Sequence, residues 1–98
     1  MPVLRPLGWC VYLLRCGDGS LYCGVTNRLG ARLLAHRSGK GARYTRGRGP
    51  LRLLYAEPAA DRGAALRREL SIKRLQRGQK LALIGTARRK RGSRRPLK

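Results

Sequence analysis

Residues 9–25 read WCVYLLRCGDGSLYCGV, and the fold follows from how this stretch pairs with itself. Trp9 to Cys16 is a run of apolar, aromatic and β-branched residues, which is strand composition. Gly17-Asp18-Gly19-Ser20 is turn chemistry, and Leu21 to Val25 reads as a second strand that completes a hairpin. Side chains alternate along a strand, and residues that face each other across an antiparallel pair point to the same side. A three-residue Gly17-Asp18-Gly19 loop, closed by Cys16 opposite Ser20, sets Leu14 opposite Tyr22 and Tyr12 opposite Gly24. Tyr12 and Tyr22 then share one face. A two-residue Asp18-Gly19 turn would send them to opposite faces unless a bulge intervened. The cysteines, Cys10, Cys16 and Cys23, are odd in number and form no CxxC pair, so they read as reduced, structural thiols. A zinc site that recruits His36 is the minor alternative.

Outward from the hairpin, residues 28–37 place Leu29, Leu33 and Leu34 at helical spacing, with Thr26 or Asn27 as N-cap. Gly30 weakens that helix by up to about 1 kcal/mol relative to Ala. Residues 38–50 (SGKGARYTRGRGP) form a Gly-rich loop that carries Lys40, Arg43, Arg46 and Arg48. It reads equally as a solvated surface loop and as a flexible loop that contacts phosphate. Residues 51–57 (LRLLYAE) are a third strand, ended by Pro58. Asp61 caps a long helix that runs to about Arg77, where Gly78 suits its stop. Leu66, Leu70 and Lys73 fall on one side of it, widened by Ala65, Ile72 and Leu75, and Glu69 and Lys73 form an i,i+4 pair. Residues 79–84 add a short final helix. From Gly85 onward hydrophobic periodicity gives way to charge, so residues 85–98 are expected as a disordered basic tail. The order β-β-α-β-α-α defines an α+β fold, a three-stranded antiparallel sheet flanked by helices. The expected boundaries are an N-terminal extension over 1–8 and a domain over 9–84.

The 98 residues include 24 Lys and Arg against 4 Asp and Glu, a net charge of +20. So one-sided a balance calls for a polyanionic partner, first of all nucleic acid, where each neutralised phosphate releases counterions. A membrane surface comes second, and no apolar stretch approaches the roughly 20 residues that span a bilayer. The opening MPVLRPLG has neither the apolar core nor the cleavage site of a signal peptide, so cytoplasmic residence is the expectation.

Cys10-Val11-Tyr12 and Tyr22-Cys23-Gly24, paired across a short hairpin, resemble the two signature tripeptides of the GIY-YIG nuclease superfamily. The likeness continues through Gly24-Val25-Thr26, Leu29, Arg32 and His36. The stretch Lys40-Gly41-Ala42-Arg43-Tyr44-Thr45-Arg46, then Pro50 and Glu57, resembles the small single-domain bacterial YhbQ-like subgroup. Ala65-Leu66-Arg67-Arg68-Glu69 and Ile72-Lys73 match that subgroup's second helix, which carries the family's metal-binding glutamate. The first tripeptide here is CVY and the second YCG, and both keep the tyrosine. Some family nucleases also use an asparagine past the glutamate. The only asparagine here is Asn27, so that role is vacant or passes to a lysine such as Lys73 or Lys80.

The resemblance implies a metal-dependent endonuclease acting on DNA, structure-selective or weakly sequence-specific, in repair or recombination. It assigns catalysis to Tyr12, Tyr22, Arg32, His36 and Glu69, and nucleic-acid binding to Lys40, Arg43, Arg46, Arg48, Lys73 and Lys80. Glu69 is the metal ligand in this scheme, since Asp18 sits in a turn, Glu57 at a strand end and Asp61 at a cap. A single carboxylate suits Mg²⁺, which keeps several waters, with Mn²⁺ able to take its place. Against this, Glu69 is also simply the partner of Lys73. Arg32 is suited to neutralise the scissile phosphate as a planar fork. His36 relays a proton or orients a tyrosine, or is a satisfied structural histidine. Tyr12 resembles the family's general base, whose ordinary pKa of about 10 must then be lowered by nearby cations. Tyr22 would orient water or phosphate. Tyr44 and Tyr55 read as core-edge residues, with Tyr44 also able to stack on a base. The enzyme requires both tyrosine hydroxyls to face Arg32 and Glu69; tyrosines on opposite faces, or Glu69 turned away from them, would leave only the binding module. The alternative is a non-catalytic nucleic-acid-binding adaptor of the same fold. A ribosome-associated basic protein accounts for the charge but not for the constellation.

Overall fold

Strand β1, Cys10–Arg15, is buried from Cys10 through Leu14 at 0–1% exposure, which only a strand covered on both faces permits. It therefore lies in the middle. The computed structural model describes residues 8–92 and shows a three-stranded antiparallel sheet of order β2-β1-β3, with β2 at Leu21–Thr26 and β3 at Arg52–Pro58. Three helices flank it: α1 (Leu29–Arg37), α2 (Arg62–Lys73) and α3 (Arg77–Gly92), and a 3₁₀ turn spans Arg43–Thr45. The expected N-terminal extension, apart from Gly8, and residues 93–98 of the expected tail lie outside the described residues.

The hairpin closes as the three-residue loop requires. Cys16 N donates to Ser20 O at 2.9 Å and Gly19 N to Cys16 O at 2.9 Å. Gly19 takes φ +87°, a conformation that glycine adopts without steric cost. Asp18 Oδ1 accepts from Ser20 N at 3.0 Å and from Ser20 Oγ at 2.6 Å, which fixes the turn. The register follows: Tyr12 opposite Gly24, Leu14 opposite Tyr22. On the other side of β1, a bulge between Leu13 and Leu14 puts Leu53 with Leu14 and frees Leu54 for the opposite face.

Each face has its own core. Cys10, Tyr12 and Leu14 pack with Leu29 and Leu33 of α1. Val11, Leu13 and Cys23 pack with Ala65 and Ile72 of α2 and Ile84 of α3. Burying each large apolar side chain here contributes roughly 1.5–3 kcal/mol. Asp61 caps α2 as expected, accepting from Ala64 N at 2.8 Å. Glu57 on β3 draws Arg68 of α2 into a two-pronged ion pair at 2.8 and 3.2 Å and also accepts from Tyr55 Oη, so the Tyr55 hydroxyl is satisfied.

One correction concerns the buried face of α2. The apolar side of α2 is Ala65 and Ile72, whereas Leu66 and Leu70 are 37% and 53% exposed. A second correction concerns the helix end. It stops at Lys73 rather than Arg77, because Gln76 starts α3: Gln79 Oε1 accepts from Gln76 N at 2.8 Å and Gln76 O from Lys80 N at 3.0 Å. Gly78 then lies in the first turn of α3. A third is that α3 continues to Gly92, so residues 85–92 are helical and not a disordered tail. Ala87 to Arg91, five of those eight residues, are strong helix formers.

Gly24 sets a sharp test of the register. A Cβ there would lie 2.6 Å from Tyr12 Oη and 2.8 Å from Tyr12 Cζ. Gly24→Ala is expected to cost about 1–3 kcal/mol through overpacking against a ring that cannot yield, read as a lowered urea midpoint. An unchanged midpoint would refute this packing.

Candidate active site

The shared face of Tyr12 and Tyr22 is where the chemistry gathers. Their ring centroids are 6.3 Å apart, and α1 supplies Arg32 and His36 one turn apart from the same helical side. His36 is 2% exposed. Its Nε2 is 2.8 Å from Tyr12 Oη and its Nδ1 is 2.9 Å from Thr45 Oγ1.

The hydrogen-bond network assigns the protons. Thr45 Oγ1 donates its single proton to Ala42 O at 2.9 Å, so it accepts from His36. Nδ1 therefore carries the imidazole proton. In the neutral ring Nε2 holds a lone pair, and Tyr12 donates to it. Burial and, secondarily, the nearby Arg32 push the His36 pKa below its ordinary 6.5, which favours this neutral state. The loop backbone packs directly on the ring: a Cβ on Gly41 would lie 2.3 Å from Nδ1.

Arg32 is half-buried and faces both phenol oxygens, whose proximity raises its pKa further. The expectation that cations lower the Tyr12 pKa is corrected here. Burial outweighs the opposing pull of Arg32 and raises Tyr12 to about 12. Tyr12 is consequently no free phenolate near neutrality. It is a buried hydroxyl that donates to His36 Nε2. No zinc alternative survives, because both His36 nitrogens are engaged and no group of three His, Cys, Asp or Glu gathers among the described residues. The three cysteines are buried and free, with burial pushing Cys23 to about 11.

Residues 38–50 are mostly exposed, as a surface loop would be, but Gly41 and Thr45 are buried against the site. Thr45 is buried at 2%, the 3₁₀ turn rests on the site, and the Tyr44 ring stacks on Tyr22 at 5.8 Å. Lys40, Arg43 and Arg46 remain exposed, while Arg48 lies over the Tyr44 ring. Thr45, Gly41 and Tyr44 are the site residues that sequence reasoning left out of the catalytic set. The signal was the run GARYT, whose glycine and threonine become meaningful only against His36.

Glu69 does not join this cluster. It belongs to α2, on the other side of the sheet, where Ala65 and Ile72 pack with Cys23. Its carboxylate pairs with Lys73 at 3.3 Å, and its charge acts on the Cys23 thiol. Among the described residues no contact ties it to Tyr12, Tyr22, Arg32 or His36. The structure thus brings Tyr12, Tyr22, Arg32 and His36 together and leaves Glu69 apart. Lys73 and Lys80, on α2 and α3, likewise stand apart from the loop cations.

A three-stranded sheet of this order, with two tyrosines, an arginine and a histidine on one face, defines a catalytic-domain fold, and the chain belongs to the GIY-YIG family. The model of the GIY-YIG catalytic domain matches residues 8–82, which places the chain in a nuclease superfamily whose substrates are nucleic acids. It is similar to a UPF0213 protein of Nitratidesulfovibrio vulgaris, 58% identical over 78 residues that cover 80% of this chain and 71% of that one. A UPF0213 protein of Oceanobacillus iheyensis is 53% identical over 74 residues, 76% of this chain and 86% of the relative. The solution NMR structure of a UPF0213 protein from Bacillus halodurans matches with a TM-score of 0.53 and 44% identity, covering 80% of this chain and 83% of that one. No helix among the described residues is long and apolar enough to cross a membrane.

The His36 environment carries a pH signature. Its folded pKa lies below its unfolded value near 6.5, so the unfolded chain binds more protons under that pH. The stability it contributes is complete above 6.5 and is lost as pH falls toward the folded value. Urea midpoints measured from about pH 7.5 down to 5 are expected to decline, and His36→Gln to flatten that decline. An equal slope in both proteins would contradict the assigned neutral tautomer.

Proposed function

We propose that this protein is a metal-dependent endonuclease that hydrolyses phosphodiester bonds in DNA, structure-selective or weakly sequence-specific, acting in the cytoplasm in repair or recombination. The observation that carries this reading is the buried chain Tyr12–His36–Thr45 beside Arg32. Tyr12 is wholly buried in the free protein, so substrate must uncover its hydroxyl beside Tyr22 and Arg32; water then attacks phosphorus as its proton moves to Tyr12 Oη and the Tyr12 proton moves to His36 Nε2. The new P–O bond forms as the bond to the leaving oxygen breaks, and that oxygen takes its proton from solvent. His36 accepts because its neutral state is favoured, and Thr45 keeps the ring in the tautomer that leaves Nε2 free. Arg32 holds the non-bridging oxygens where charge accumulates. Tyr22 borders the same space and orients water or phosphate.

Glu69 is the residue that would hold Mg²⁺ or Mn²⁺. A half-buried lone carboxylate fits a hard ion that keeps most of its waters and takes further oxygens from phosphate. Bound there, the ion supplies charge stabilisation to the phosphoryl oxygens and the leaving group. Two features support placing Glu69 at the reaction: β2 is an edge strand, and Glu69 acts on Cys23, the neighbour of Tyr22. A phosphodiester that crosses this edge meets Tyr22 and Arg32 on one side and α2 on the other. The place of Glu69 on the sheet face away from the tyrosines, and its pairing with Lys73, favour the second reading, a nucleic-acid-binding adaptor that does not cut.

Cleavage of labelled duplex, single-stranded and branched DNA, with Mg²⁺ or with EDTA, separates the two. Glu69→Ala is expected to abolish cutting and leave DNA affinity unchanged. Activity that persists both in EDTA and in Glu69→Ala would remove the metal role, and no activity in the wild type on any substrate would leave the adaptor.

With +20 net charge, affinity is expected to fall steeply with salt, by a slope of about 0.9 per phosphate contacted. Lys40→Ala, Arg43→Ala and Arg46→Ala together are expected to reduce that slope by about 3 units. A slope that stays the same would show that the loop does not touch phosphate.

A further inference from the structure

Tyr44 is the member of the aromatic cluster left open to solvent, at 41% exposure, against 0% for Tyr12 and 2% for His36. Its ring stacks on Tyr22 with centroids 5.8 Å apart and planes 28° from parallel. Arg48 places its guanidinium 4.3 Å from the Tyr44 centroid. Asp18, from the hairpin loop, holds Arg48 by an ion pair, and Gly17 N donates to Arg48 O. A ladder of flat groups thus runs outward from the buried core through Tyr12, Tyr22 and Tyr44, and a planar cation rests on its outer end.

A planar guanidinium on a tyrosine ring occupies the place that a nucleobase would take. The strength of its tether decides which one stays. Both partners of the Asp18–Arg48 pair are more than two-fifths exposed, at 44% and 41%, and a pair so exposed contributes little. A base stacked on an aromatic side chain raises affinity roughly five- to hundredfold. The base therefore displaces the arginine, whose forked donors then become available to the adjoining phosphate. A base within a duplex has both faces already stacked and offers neither to the protein, so the preference falls on an unpaired nucleotide.

We propose that Tyr44 is a base-stacking platform, capped by Arg48 in the free protein, that selects nucleic acid with an unpaired nucleotide beside the scissile phosphate: a single strand, a flap or a frayed end. This deepens the nucleic-acid reading above and rests on it, but it does not require the protein to cut.

The test is binding in EDTA to an oligothymidine that carries one 2-aminopurine, whose fluorescence is quenched on stacking. The same probe base in a fully paired duplex is the control. Wild-type protein is expected to quench the single-strand probe. Tyr44→Ala and Tyr44→Leu are expected to lose the quench and about tenfold in single-strand affinity, with duplex affinity unchanged. Tyr44→Phe and Tyr44→Trp are expected to restore both. Leucine keeps the loop packed without a π face, so the outcome does not hinge on the alanine variant folding. Single-strand affinity that survives Tyr44→Leu, or an equal loss on single strand and duplex, would overturn the proposal. A protein that shows the expected pattern yet cuts nothing keeps the platform and loses only the nuclease reading.

Discussion

The hydrogen bond from Tyr12 to His36 joins the central strand to the helix that covers it, and most of the site hangs on that bond. Tyr12 reaches His36 by lying across Gly24, where any side chain would collide with the phenol. His36 in turn reaches Thr45 with its other nitrogen, which pins the loop that brings Tyr44 onto Tyr22. A buried polar chain of this kind tolerates no unpaired member, because an unsatisfied buried donor or acceptor costs about 1–3 kcal/mol. Among the described residues no buried side-chain polar atom lacks a partner. The same closure that stabilises the loop also fixes the imidazole tautomer, so packing and the placement of the ring proton come from one set of bonds.

Electrostatics completes the picture from the other side. Four carboxylates serve 24 cations, and each carboxylate is already engaged within the fold. Asp18 orders the hairpin loop and holds Arg48, Glu57 binds Arg68, Asp61 caps α2 and Glu69 pairs with Lys73. Little negative charge is left to screen the rest, and the resulting field draws a polyanion. It also shapes the site locally. Arg32 opposes a proton on His36, and the burial of Tyr12 outweighs the cationic pull on its hydroxyl.

Glu69 shows how a helix can be right and its geometry still open. The sequence marks it as the acid with no turn, strand end or cap to explain it. Its partner in the folded chain is Lys73, and its helix lies on the side of the sheet away from the tyrosines. Whatever brings it to a phosphate must work across the β2 edge, where Cys23 and Tyr22 are neighbours in sequence but point to opposite sides.

The sequence by itself determined the hairpin and narrowed its register to two, because strand parity is local; the folded chain chose the three-residue loop that puts both tyrosines on one face. It also determined the α+β order, the Asp61 cap and the demand for an anionic partner. Only the tertiary structure decided which side of α2 is buried: Ala65 and Ile72 meet Val11, Leu13 and Cys23 of the sheet, and Leu66 and Leu70 are left outside. Only the fold turned a glycine-rich basic loop into the packed floor under His36, because Thr45 gains meaning from a ring nine residues away. The direction of the Tyr12 pKa shift belongs to the fold too. Cations are visible in a sequence, but the burial that overrides them is set by what packs around the hydroxyl.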